Sequence, residues 1–228
     1  MVYSTTHCHC YEHPEVEGVV VHDDRYRDAL IDHISNLERC VEAGLRLEEG
    51  SGMECGWMSI NLARLPDGRL THEEPDFRSM PIRWVRRLDR TFEHLRVQTK
   101  LMESLGLDEF DFASLAKAGV VGRDCMQPGP LRLCREEPEQ ANDSGWVLEP
   151  IPPRLDYTAD PEGSLLFQSL YETALVRPEI VPFMAMPVGS DVRIAADGAL
   201  TICLHDRALR LKLGSNLRDY LPLDVDEI

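Results

Sequence analysis

The chain has 228 residues, 43% of them hydrophobic, and carries 24 basic against 40 acidic side chains for a formal charge of −16. That length and composition exclude a disordered chain and predict one large domain or two small ones. Its apolar runs fall far short of the roughly 20 residues of a membrane span, and so acidic a surface repels phosphate backbones, so neither a membrane nor nucleic acid is expected as a partner.

The N-terminus, MVYSTTHCHCYEH, shows neither a basic region nor an apolar run of the secretory kind, which predicts a cytoplasmic protein. Seven cysteines, an odd number that includes Cys40, Cys55, Cys125, Cys134 and Cys203, make no disulfide framework and read as reduced, mostly buried thiols. Up to Ala118 there are 14 basic and 22 acidic residues, and after it 10 and 18, so both parts stand at −8. An evenly acidic protein steers a basic protein toward itself.

In chain order, Tyr26, Leu30, Ile34, Leu37 and Val41 mark one face of a helix that Gly44 ends. Trp57 and Ser59 with the alternating Ile60, Leu62 and Leu65 predict a strand leading into a hairpin turn at Pro66-Asp67-Gly68. A second helix is expected from Pro81, through Val85, Leu88, Phe92, Leu95 and Met102, as far as Leu105, where Gly106 stops it. The following stretch, with two glycines and a short apolar helix-like run, marks a boundary near Ala118, giving units 1–117 and 118–228.

Beyond it, Leu131 to Arg135 and Gly145 to Leu148 are strand candidates, and EPIPPRLDYTADPEG is loop. Ser164 reads as the N-cap of a helix through Leu166, Leu170 and Ala174 that stops at Pro178. A last hairpin turns at Asp197-Gly198. Helices mixed with hairpins, without regular strand-helix alternation, predict an α+β fold of two units, each with helices on an antiparallel hairpin sheet. A Gly-Trp pair occurs in each half, but the helices fall at different offsets from it, which argues against a duplication.

His7, Cys8, His9, Cys10 and His13 form the one dense set of metal-ligand residues, yet adjacent and alternate positions converge poorly on one ion and no second pair closes the site. No metal and no cofactor are expected. His205-Asp206 beside Cys203 invites a catalytic reading, but neighbours on a strand face opposite ways, and no nucleophile elbow, phosphate loop, dinucleotide fingerprint or zincin motif is present. No catalytic residue is assigned. Trp84 among Arg83, Arg86 and Arg87 reads as part of a surface salt-bridge lattice.

The segment REEPEQANDSGW is the most distinctive of the chain. Asn142-Asp143-Ser144-Gly145 is turn chemistry, with side-chain oxygens bonding nearby amides, and Trp146 then suits a core position. The carboxylates Glu136, Glu137, Glu139 and Asp143 read as a solvated face or an acidic docking surface.

The ordered set CREEPEQANDSGW, YTADPEGSLLFQSLYETA, RPEIVPFMAMPVGS and AADG, within Cys125 to Gly198, resembles the immunity protein 33 (DUF2185) family, found beside polymorphic toxins in bacteria. The order and spacing are kept; MQPGPLRLC and EPIPP depart from the pattern. The likeness spans about a third of the chain, and HPEVEGVVVHDDRYRDALIDHISNLERCVEAG, CGWM and MPIRWV look like the leading region of longer proteins ending in the same domain. The resemblance implies a bacterial protein that neutralises a cognate toxin, a basic effector, by stoichiometric binding rather than catalysis. Within the motif, Glu136, Glu137, Asp143, Ser144 and Trp146 are taken as the partner-binding residues, the exposed carboxylates above all. An enzyme of unrecognised type, hydrolase-like, or a general protein-binding adaptor remain as alternatives.

Overall fold

The computed structural model describes residues 1–9, 12–18, 21–212 and 216–222. They fold as an α+β protein with two mixed sheets, and the chain divides into two compact units, Met1–Leu95 and Arg96–Pro222. The division falls earlier than the 117/118 boundary expected from the glycines near Ala118.

The first unit opens with β1 (Tyr3–Ser4) and β2 (Val16–Gly18), then α1 (Arg27–Glu42), which ends at Gly44 in the left-handed region, φ 104°. Next come β3 (Gly52–Cys55), β4 (Met58–Arg64), β5 (Leu70–Pro75) and β6 (Trp84–Val85). The sheet order is β1-β2-β5-β4-β3, with β6 also on β5. Its β2–β5 pair is parallel, so the sheet is not the purely antiparallel hairpin stack expected. Leu30 and Ile34 of α1 pack with Val21, Tyr26, Ile60, Leu88 and Phe92, while Leu37 and Val41 pack with Cys8, Val16, Leu62 and Leu70. The helical stripe thus covers the Ile60 and Leu62 face of β4, which strand alternation makes apolar, together with Leu70 at the start of β5.

The second helix, α2 (Asp89–Leu105), starts eight residues after Pro81. Trp84 and Val85 are instead taken by pairing with Pro75 and Glu74. Glu74, buried on β5, then caps the helix from outside: its carboxylate accepts from the Arg90 N–H at 3.1 Å, the Thr91 N–H at 2.7 Å and the Thr91 hydroxyl at 2.8 Å, with Arg87 3.3 Å away. A carboxylate facing the first turn satisfies amides that no intrahelical partner reaches. Of the arginines around Trp84, Arg86 pairs with Glu17, which also holds Arg69, and Arg87 with Glu74. Nearby, the His33 and His72 Nε2 atoms lie 3.4 Å apart, and buried His94 accepts from the Trp57 indole N–H at 3.2 Å.

The second unit takes α2 from Arg96 onward, where Gln98 donates to the Val181 carbonyl at 3.0 Å and Ser104 shares a hydrogen bond with Tyr220 at 2.8 Å. Then follow β7 (Ala118–Gly122), β8 (Leu131–Arg135), β9 (Asp143–Pro150), α3 (Pro161–Ser164), β10 (Leu165–Ser169), α4 (Leu170–Val176), β11 (Ser190–Ile194), β12 (Leu200–Leu204) and β13 (Arg207–Leu209). The order is β10-β7-β9-β8-β11-β12-β13, again with one parallel pair, β7–β9.

Two expectations are corrected here. The helix-like run expected in the stretch before the boundary is not helical: residues 107–117 contain no helix, and Ala118–Gly122 form strand β7. The helix expected from Ser164 is split, because Leu165 to Ser169 pair with Gly122 to Ala118 and the N-cap passes to Ser169, which with Glu172 forms a reciprocal capping box for α4.

On β10, Leu166 and Gln168 hydrogen-bond toward β7, in phase with the Leu170 N–H bonded to the Lys117 carbonyl, so Leu165, Phe167 and Ser169 present their backbone groups to the outer edge. The Leu165 N–H is bonded to the Pro161 carbonyl and the Ser169 N–H to Glu172, while the Ser169 carbonyl accepts from Thr173.

Candidate interaction surface

Seven residues, 136–142, join β8 to β9 and all are exposed. They are nevertheless firmly held. Asp143 accepts from the Glu139 N–H at 3.0 Å and the Gly145 N–H at 2.8 Å, and the Glu136 N–H donates to the Gly145 carbonyl at 2.8 Å. Gly145 sits at φ 74°, and a Cβ there would lie 2.1 Å from the Glu136 carbonyl oxygen, so only glycine fits. Glu136, Glu137 and Glu139 therefore project from a loop whose backbone is already ordered.

Two residues named as partner contacts are corrected. Ser144 is 1% and Trp146 0% exposed. Ser144 Oγ accepts from the Trp146 N–H at 3.2 Å, and the two share one face of β9 while Asp143 takes the other. Both serve the interior of the unit. Of the five residues singled out, Glu136 and Glu137 are exposed and Asp143 is half-buried at the loop base.

The residue that organises this end of the sheet is Arg135, which the sequence marks as a strand end and the start of the REEPEQANDSGW motif without assigning it a role. It pairs across the ladder with Trp146, and its guanidinium lies over the indole, 5.7 Å from the centroid. Nη1 donates to the carbonyls of Asp111 and Met186, and Nη2 meets the Asp111 carboxylate at 3.1 Å. Burial lowers the Arg135 pKa, while the charges of Asp111 and Glu137 act to raise it.

Through Arg135 a second segment, 107–112, reaches the same end of the sheet. The Asp111 N–H donates to the Ala185 carbonyl at 3.0 Å and the Ala113 N–H to that of Met184 at 3.2 Å. It adds the exposed carboxylates of Asp108, Glu109 and Asp111 to those of the 136–142 loop. Alternating acids and aromatics in LDEFDF were the available signal. A third piece closes the group: the Gly189 N–H donates to the Arg135 carbonyl at 2.8 Å and the His205 N–H to the Gly189 carbonyl at 2.9 Å. His205 and Asp206, at φ 48° and 62°, form the turn between β12 and β13, and the His205 ring occupies the space where a Cβ on Gly189 would be. The motif residues Arg135, Gly145, Trp146 and Gly189 thus work as one folding unit that holds the acidic loops in place.

In the first unit, Cys8 is buried, and His7 is 3.5 Å from Glu38; Cys10 lies outside the described residues. Among the described residues no three His, Cys, Asp or Glu side chains are grouped to hold a metal ion. A groove of about 870 Å³ carries Arg64 and Arg69 on its wall, but Arg64 pairs with Glu49, and Arg69 with Asp67 and Glu17. No helix among the described residues is long and apolar enough to cross a membrane. No protein-family model, curated protein or solved structure matches the chain.

Proposed function

We propose that this chain is a toxin-neutralising protein of the immunity kind its C-terminal motif resembles, acting in the cytoplasm by one-to-one binding. The acidic end of the second unit is the binding face. The observation that carries this reading is the preordered 136–142 loop, with Glu136, Glu137 and Glu139 in solvent on a backbone fixed by the Asp143 carboxylate and by the Glu136 N–H bonded to the Gly145 carbonyl. A loop that is ordered before binding loses little conformational entropy on association. Its carboxylates, in a chain of net charge −16, accelerate capture of a basic effector domain and disfavour acidic partners.

The test is co-purification of the tagged protein from its native cells, with mass spectrometry of what it retains. A tight one-to-one partner that is toxic when expressed alone and silenced by this chain supports neutralisation. A partner without toxicity makes the chain an adaptor, and turnover of a small molecule without any partner overturns the binding reading.

A further inference from the structure

One phenylalanine stands in solvent and a second is only half-buried at the acidic end of the second unit, although rings of that size usually bury. Phe110 is 38% exposed and stacks on half-buried Phe112, with centroids 5.6 Å apart and planes 23° from parallel. The segment carrying them is anchored by the backbone bonds of Asp111 and Ala113 and by the grip of Arg135 on the Asp111 carbonyl. The pair is therefore presented in a set geometry, flanked in sequence by Asp108, Glu109 and Asp111.

We infer that the Phe110–Phe112 pair is an arginine-accepting hot spot: a basic protein partner lays a guanidinium on the exposed ring, and the carboxylates of Asp108 and Glu109, next to it in the chain, take its N–H groups while Asp111 stays paired with Arg135. This rests on the reading of the acidic end as a binding face. An arginine satisfies both components of the patch at once, because its planar fork stacks on an aromatic face and pairs with carboxylates. A lysine brings the charge without the plane. A purely apolar partner strips water from the carboxylates and returns nothing, and a second copy of this chain brings a like charge of −16. Aromatic residues at the centre of a charged rim are also where binding energy concentrates in protein interfaces.

The experiment measures binding of fluorescently labelled octa-arginine and octa-lysine peptides to the full chain at physiological salt. The expected result is a preference for the arginine peptide of about tenfold, within the range of an arginine-aromatic contact. Phe110→Ser abolishes the preference. Phe110→Leu, which keeps apolar bulk without the π face, abolishes it as well, so a folding defect in the serine variant does not decide the matter. Glu136→Lys with Glu137→Lys weakens both peptides together. Equal binding of the two peptides, or a preference indifferent to Phe110, overturns the inference, as does a dimer in sedimentation that Phe110→Ser dissociates. Loss of the preference leaves the toxin reading standing if a toxic partner still co-purifies. A retained preference with no toxic partner refutes the toxin reading alone.

Discussion

Arg135 and Trp146 face one another across β8 and β9, the guanidinium 5.7 Å from the indole centroid, with both side chains out of solvent. The pair is a folding device with a surface consequence, since the same guanidinium ties down the segment that bears Asp111. Replacing Arg135 by Lys keeps the charge but loses the fork. The expected cost is about 3 kcal/mol, that of breaking a buried charge network, read from urea unfolding.

Gly145→Ala puts a Cβ against the Glu136 carbonyl at a positive φ. The expected destabilisation is about 2 kcal/mol. Because the clash lies at the base of the acidic loop, partner affinity falls as well, which calorimetry on the co-purified partner checks.

Glu136→Lys and Glu137→Lys alter exposed side chains, so the unfolding free energy stays within about 0.5 kcal/mol of the parent. Association with a basic partner slows by about tenfold in the double variant, and its salt dependence weakens. Stopped-flow rates across a salt series separate this from a change in dissociation.

Two kinds of buried group give stability opposite pH dependences over the same acid range. Burial lowers the pKa of His33 to about 4 and that of His72 to about 3, with the nearby His33 adding to the latter. The unfolded chain then takes up protons near pH 6.5 that the folded chain refuses. Stability present above that pH is lost on acidification toward pH 4, by about 3 kcal/mol for His33 alone. Glu74 runs the other way: burial raises its pKa to about 7, against the pull of Thr91, Arg90 and Arg87. Its contribution is full below about pH 4.5 and is lost as pH rises through 7, again about 3 kcal/mol. Urea midpoints measured from pH 4 to 9 read the balance of the two. Between pH 4 and 7 the stability of His33→Gln gains less with rising pH than the parent's and that of Glu74→Gln, which keeps an acceptor for Thr91, gains more, while above pH 7 neither substitution changes the slope.

Local signals were readable where one residue decides the geometry. The α1 stripe, the stop at Gly44 and the turns at Asp67-Gly68 and Asp197-Gly198 each depend on neighbouring residues alone. The start of α2 was not readable, because its cap is Glu74, far away in sequence on β5. Nor was β10, whose Leu-Leu-Phe run suits a helix until β7 offers it a ladder. At the interaction surface, the exposed glutamates and the turn residues were evident, and the core suitability of Trp146 was too. The role of Arg135 was hidden, since its partners are the carbonyls of Asp111 and Met186, which no side-chain pattern reveals.

The outer edge of β10 bears on how the protein behaves when concentrated. Leu-Leu-Phe is the kind of uncharged run that stacks into cross-strand fibres when it stands open. Here the N–H groups at either end, Leu165 and Ser169, are already occupied by Pro161 and Glu172, so an incoming strand finds the Phe167 amide between two closed positions. A ladder cannot propagate from one rung. The 49% exposed Phe167 ring can be wetted without seeding a fibril, and Glu172, placed to begin a helix, also acts as the stopper on a sheet.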